Sequence, residues 1–326
     1  MQLERVMYGV QSAFDTPVAA TGWFLGKIKV QQDTKITIPK DDIGLNVNGF
    51  RSVKSGKLVT NTLDFARAYY RALPALFASL LTNDVTPVED AGFSWHFEPD
   101  LTANGNTRSL LTLKNGDAGI QGFENANVQF EKIKISGTIP QDGSDAPIKI
   151  SADYFGKDSV KAAFTENIEL PSIAELSAYL TKLYIDSSWA AVGTTLKNGL
   201  LRAFDIEIIG GAYPEFHGGR DTFDAIGEGT KSILISLTID SGTESQDLLD
   251  SLGEMRVVKF EFPGPLISEG VHHSLAIAAS CTITEVTPYE SQEKDTQLAS
   301  VTFEGTYDVV EEKLFEVDVV TDIGVL

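Results

Sequence analysis

From Phe204 onward, the stretch Ala203-Phe204-Asp205-Ile206-Glu207-Ile208 changes between apolar and acidic at every step. Side chains leave a strand on its two faces in turn, so such a run offers one face to a core and the other to water. The second half of Val257-Val258-Lys259-Phe260-Glu261-Phe262 follows the same rule, as does the stretch from Val128 to Ile135 on either side of the Glu131-Lys132 pair. Further β-like runs cover 232–239, 274–286 and 299–307, and Gly210-Gly211, Gly218-Gly219 and Pro263-Gly264-Pro265 punctuate them. This period excludes a helical bundle and predicts a mainly β chain.

Two segments carry helical spacing instead. Leu63, Ala66, Tyr69, Tyr70, Leu73, Leu76, Phe77 and Leu80 recur at three and four residues after a cap at Asn61 or Thr62, with Pro74 expected to kink the helix. A second helix is expected from Pro171-Ser172 through Ile173, Leu176, Tyr179 and Leu180, because proline suits a helix start. A weak internal repeat also shows. Gly122 to Asp153 and Gly199 to Thr238 each read as a strand, a polar excursion and a returning strand.

The net charge of -20 argues against general attraction to nucleic-acid phosphates. It is also uneven: residues 1–163 hold 17 Lys and Arg against 18 Asp and Glu, whereas 164–326 hold 9 against 28. Hydrophobic residues at 42% and charged ones at 22% suit a globular chain, and no run has the roughly 18–20 apolar residues of a membrane-spanning helix. No secretory signal is read at the start, which points to the cytoplasm of the producing cell. The single cysteine, Cys281, leaves no internal disulfide and no cysteine-based zinc site, and in an apolar strand it reads as inert core.

Catalytic patterns are missing. The adjacent His272-His273 would point to opposite faces of a strand, and His217-Gly218-Gly219 has no accompanying Gly-x-Ser-x-Gly elbow. Ser55-Gly56-Lys57-Leu58 lacks the first glycine and the closing hydroxyl of a phosphate loop. The acids at 240, 244, 247 and 250 do not form a calcium-binding EF-hand loop, and Asp41-Asp42, Glu89-Asp90 and Glu311-Glu312 read as solvated loop charge. Nothing here supports an enzyme or a cofactor.

The opening from Tyr8 to Thr21, Tyr-Gly-Val-Gln-Ser-Ala-Phe-Asp-Thr-Pro-Val-Ala-Ala-Thr, resembles the start of phage major tail tube proteins, with Asp15 where that family usually has glycine. Leu183-Tyr184-Ile185-Asp186, Gly193-Thr194-Thr195, Leu201 to Ile208 and Pro214-Glu215-Phe216 are similar to its central stretch. Arg256 to Phe262 and Gly305-Thr306-Tyr307-Asp308 are similar to its final third. Each motif is short, and their order and spacing carry the resemblance.

The resemblance implies a β-sandwich tube domain with a packed helix, whose inner sheet joins those of neighbours in a ring-shaped β-barrel. Applied here, it gives a first tube-like half, 1–165, with an N-terminal arm and a long loop at 31–60, and a second, acidic half, 166–326, with a C-terminal arm. Three such two-domain chains, or six chains, would make a ring. Stacked rings would make the hollow tail of a long-tailed, non-contractile phage through which DNA passes without specific binding. The family further implies a tape-measure protein and a tail terminator as partners, assembly in the host bacterial cytoplasm, residence in the virion tail and no membrane insertion. Asp205 and Glu207 would line the lumen. In the loop, Lys35, Lys40, Asp41, Asp42, Arg51, Lys54 and Lys57 would reach the next ring, where a mildly basic loop meets the acidic half of its neighbour. The alternative is a virion decoration or receptor-binding β-sandwich, for which an exposed aromatic cluster is expected; Trp23, Trp95 and Trp189 lie far apart in the sequence.

Overall fold

The computed structural model describes residues 4–28, 34–38, 53–82, 85–101, 106–197, 199–293 and 296–326, with backbone alone at 34–37 and 53–55. Strands make up 55% and helices 9%, and the sheets are antiparallel. The first half runs β1 (Glu4–Val10), β2 (Gly22–Trp23), β3 (Lys27–Ile28), the hairpin β4 (Thr34–Thr37) and β5 (Val53–Lys57), and β6 (Val59–Phe65). It continues through α1 (Leu73–Leu80), β7 (Val88–Glu89), β8 (Phe93–Phe97), β9 (Leu111–Asp117), β10 (Gln121–Thr138), β11 (Lys149–Gly156) and β12 (Asp158–Ala162). The second half runs β13 (Lys182–Asp186), β14 (Leu201–Ile209), the hairpin β15 (Ala212–Glu215) and β16 (Ala225–Glu228), and β17 (Ser232–Asp240). After α2 (Thr243–Asp250) come β18 (Met255–Ser268), β19 (Val271–Glu293), β20 (Thr296–Gly305) and β21 (Phe315–Thr321).

One inner sheet crosses both halves in the order β3-β6-β11-β10-β14-β17-β20-β19. Two outer sheets, β2-β1-β9-β10-β12 and β13-β18-β19-β21-β8-β7, share the long strands β10 and β19 with it. Among the described residues the pairing never returns to its starting strand. The described residues of one chain therefore close no barrel.

The two halves repeat one pairing scheme. β3-β6-β11-β10 of the first corresponds to β14-β17-β20-β19 of the second, and β1·β9 to β13·β18. In each, the start of the long strand pairs with β9 and β12, or with β18 and β21, before its end turns into the inner sheet. The ladder irregularity at Phe130/Lys132 recurs at Ile283/Glu285. Gly156, opposite Val59, matches Gly305, where an added Cβ would lie 2.6 Å from Ile233. The repeat thus exists, but not between the hairpins 122–153 and 199–238. Those are neighbours joined across β10·β14, and two adjacent strand pairs look alike whether or not they are equivalent.

Both expected helices are corrected. Residues 59–65 are strand β6, burying Leu63 and Phe65 at period two, and the helix begins only at Leu73 with Pro74 in its first turn. At 171–180 only the short turn Ala178–Leu180 forms. The helix of the second half is α2, whose start is fixed by the Gly242 N–H donating to Ser245 Oγ at 3.0 Å. α1 is buried on every side, whereas α2 buries only Ser245 and Leu248.

The main core runs between the inner sheet, the helices and the outer sheets, drawing on both halves, with two small clusters beside it around Phe223 and Trp189. Tyr8 of β1 stacks on Phe24 at 4.2 Å, Phe24 meets Phe130 of β10 at 6.5 Å, and Phe130 meets Tyr154 of β11 at 5.8 Å. The halves differ in one connection. The first sends β7 and β8 from after α1 onto the edge of β21, whereas α2 is followed almost directly by β18. That strap is held by the Trp95 indole donating to the Ile323 carbonyl at 2.9 Å, near the Arg71–Asp322 pair at 2.7 and 2.6 Å.

Candidate assembly interface

The inner sheet is apolar on one face only. Leu63, Ile133, Ile135, Phe204, Ile206, Ile235, Leu237, Val301 and Phe303 are buried on that side. On the other, mainly polar, face Asp64, Ser151, Lys134 and Glu207 are matched across successive ladders as far as the exposed Leu234, and one step along Asp205, Ser236, Thr302 and Glu285 are matched in the same way. Alternation along each strand places them there.

At the centre of this polar face the halves meet edge to edge through β10 and β14, from Lys132↔Ile209 to Thr138↔Ala203. Asp205 and Glu207 stand here, opposite the buried Phe204, Ile206 and Ile208, as the alternation predicts. They are not a bare acidic strip. Lys134 Nζ lies 3.2 Å from Asp205 and Lys132 Nζ 3.8 Å from Glu207 and 3.2 Å from Asp153. The Asp153 bond raises the Lys132 pKa, against a smaller opposing effect of burial. The long spacing between β10 and β14 in the chain hid these partners from sequence reasoning; only the ladder brings them together.

The same two kinds of edge stay open at the ends of the sheet. β9 pairs with β10 as far as Val128, after which β14 takes over the same edge. On β19, β18 pairs as far as Thr282 and Ile283 exchanges bonds with Gly253 and Glu254 at 2.9 and 3.2 Å. From Thr284 to Glu293 nothing among the described residues pairs with that edge. The outer edge of β3, the counterpart of β14, is likewise unpaired among the described residues. Exposed backbone donors and acceptors on an edge are a template for another strand.

Of the expected loop residues, Lys40, Asp41, Asp42 and Arg51 lie outside the described residues, and Lys35 and Lys54 are described only as backbone of β4 and β5. Lys57 is placed: its N–H donates to the Asp221 carbonyl at 2.6 Å and its Nζ lies 3.3 Å from the Asp221 carboxylate. It therefore joins the β4–β5 hairpin to the β15–β16 hairpin, its counterpart in the second half.

Elsewhere, His96, Glu98 and Glu316 converge, but Lys313 Nζ sits 3.3 Å from Glu98 and 2.9 Å from Glu316 and supplies the positive charge. An open groove of about 1280 Å³ borders β1 and β12, with Arg5 lying 5.5 Å from the Trp23 ring and 6.0 Å from the Phe164 ring. Cys281 is buried, and burial pushes its thiol up to about 12. Trp95 and Trp189 are buried and Trp23 is half-buried. His272 is exposed and His273 buried, as their adjacency predicts. Among the described residues no helix is long and apolar enough to cross a membrane. Neither the family models nor the curated proteins contain a match to this chain.

Proposed function

We propose that the chain is a self-assembling structural subunit of a phage-type tail tube, three copies forming a ring and rings stacking around a polar channel. The observation that carries this reading is the β10·β14 junction. It joins two equivalent units edge to edge, and it leaves the equivalent edges, β19 and β3, open at the two ends of the same sheet. Repeating the internal step between chains pairs β19 of one copy with β3 of the next. The contact is heterologous, and such contacts form rings when the rotation closes. Closure would satisfy both open edges and put the polar face on one side of a continuous sheet.

In this arrangement Asp205, Glu207, Lys132 and Lys134 lie on the channel wall as neutralised pairs, so a passing DNA backbone meets neither a strong attraction nor a uniform repulsion. The β4–β5 and β15–β16 hairpins would make ring-to-ring contacts, with the tape-measure protein and the terminator as partners of the assembled tube. Size-exclusion chromatography with light scattering, followed by electron microscopy, tests the reading. Rings and tubes are expected. Discrete single chains at high concentration would remove it.

A further inference from the structure

We infer that the turn from Thr306 to Lys313 is the seat on which the β4–β5 hairpin of a second copy of this chain docks, the counterpart between chains of a clasp that the β15–β16 hairpin makes inside one. The inference rests on the ring reading above. Inside the chain, the β15–β16 hairpin reaches back across the β10·β14 junction onto the first half. Phe223, in the loop of that hairpin, is fully buried. It lies 5.6 Å from Phe155 of β11 and 6.0 Å from Phe14, in a small cluster with Leu58 and Ile226. Glu228 of β16 accepts from Asn106 at 2.7 Å and lies 3.4 Å from Arg108. The second half therefore holds the first by an aromatic anchor and an ion pair as well as by the ladder.

The repeat says where the next chain's hairpin must arrive. The β4–β5 hairpin lies between β3 and β6 as the β15–β16 hairpin lies between β14 and β17. Its seat is then the rim of the second half that matches Phe155, Lys157 and Phe14. Thr60↔Phe155 corresponds to Leu234↔Glu304, so an exposed acid stands where the buried ring does. The next step of the chain differs too. β11 and β12 are joined by Lys157 alone, β20 and β21 by the nine residues 306–314. Lys157 donates its N–H to the Ala126 carbonyl at 3.0 Å and holds its Nζ 5.1 Å from the Phe14 ring. In the second half two residues divide these contacts. The Thr306 N–H donates to the Ser280 carbonyl at 2.9 Å, and Lys313 Nζ lies 5.6 Å from the ring of Trp189, which follows β13 as Phe14 follows β1. What lies between them is an insertion at the rim that the first half uses to receive Phe223.

The insertion is held firmly and ends in apolar side chains. Asp308, buried, exchanges backbone bonds with Lys313 at 2.8 and 3.3 Å, and its Oδ1 accepts the N–H groups of Val310 and Glu311 at 2.8 and 3.3 Å. Val309 is 77% exposed, Val310 82% and Tyr307 46%. Turns favour Gly, Pro, Asn, Asp and Ser, so the turn itself gives no reason for two valines at its tip. They supply at the open junction the apolar contact that Glu304 does not. A preformed seat also loses little freedom when its partner arrives.

Cross-linking tests the assignment. Heavy- and light-isotope chains carrying Val310→Cys are mixed and assembled, with a short photoreactive cross-linker on that cysteine; the other thiol, Cys281, is buried. Links to residues 34–57 of a chain of the other isotope are expected. Links only within one chain, or only to other segments, overturn the inference. A double variant, Val309→Asp with Val310→Asp, should melt like wild type as a single chain and need at least about tenfold more protein to assemble by light scattering. Val325→Asp, at a residue 83% exposed, should assemble like wild type. An equal deficit in Val325→Asp would trace the effect to added charge and overturn the seat. If the double variant melts lower than wild type, the cross-link decides. A wild-type chain that never assembles overturns the ring reading and this inference together; wild type that assembles while the double variant matches it overturns the seat alone.

Discussion

Phe204 and Asp205 are adjacent in sequence and opposite in environment, so truncating each to alanine measures the alternation directly. The Phe204 ring is buried, 5.4 Å from Phe260 and 5.5 Å from Phe262 of the outer sheet, and fills the space over Gly137 on the facing strand. A Cβ at Gly137 would lie 2.6 Å from the ring, so the ring occupies the place of the missing side chain. Phe204→Ala removes this packing from the join between the halves and leaves a cavity, a change that costs about 3–5 kcal/mol. Asp205→Ala removes one ion pair with Lys134, both side chains being nearly half exposed. Exposed pairs contribute about 0.2–1 kcal/mol, and salt weakens them. Urea unfolding followed by fluorescence and circular dichroism should therefore separate the two variants by about 2–5 kcal/mol, taking these two ranges together. Equal losses in the two variants would refute the assignment of faces. A wild-type transition that splits into two, with Phe204→Ala moving only one, would refute the shared core.

Replacing both Asp205 and Glu207 with lysine should preserve the fold but gather four lysines around the β10·β14 join; melting temperature should fall at low salt and recover with added salt, and in an infectious particle DNA passage should slow. Unchanged infectivity would remove these residues from the channel wall. His96 is pulled down by partial burial, but the Asp318 carboxylate at 2.7 Å and nearby Glu98 outweigh this and raise its pKa above the ordinary value. Its contribution to holding β8 on β21 is then fully present below about pH 6.5, the unfolded value, and is lost as pH rises through the folded value. Hydrogen exchange over 93–97, corrected for intrinsic rates, should show protection declining from pH 6 to pH 8, and His96→Ala should abolish that dependence. Cys281, buried with its thiol raised to about 12, should resist thiol reagents in the folded chain and react once it is unfolded. Rapid labelling of the native protein would show that its strand opens.

The strands were legible because their cause is local. Phe204, Ile206 and Ile208 alternate with polar residues, and burying one face needs no knowledge of what covers it. Leu63 to Leu80 misled because Leu63 fits both periods, and the chain changes from strand to helix between Phe65 and Pro74. Pro74 marks a helix start rather than an interrupted middle. α2 escaped notice because Leu248 is its only buried large apolar residue, too little for a helical stripe. The repeat was visible as a tendency and wrong in register, since equivalence lies in which strand pairs with which, and Glu285 matches Lys132 with no likeness in chemistry. The candidate site shared that fate: Asp205 and Glu207 were readable as a polar face, while their lysine partners and the two open edges come from long-range pairing.

The most direct test of the account is the mass of the purified wild-type chain across a concentration series at low salt, by light scattering. The account predicts a species of three times the 35.3 kDa chain mass, growing into stacks that microscopy resolves as rings and tubes. A constant 35.3 kDa at every concentration, with the β3 and β19 edges freely exchanging hydrogen, would contradict it.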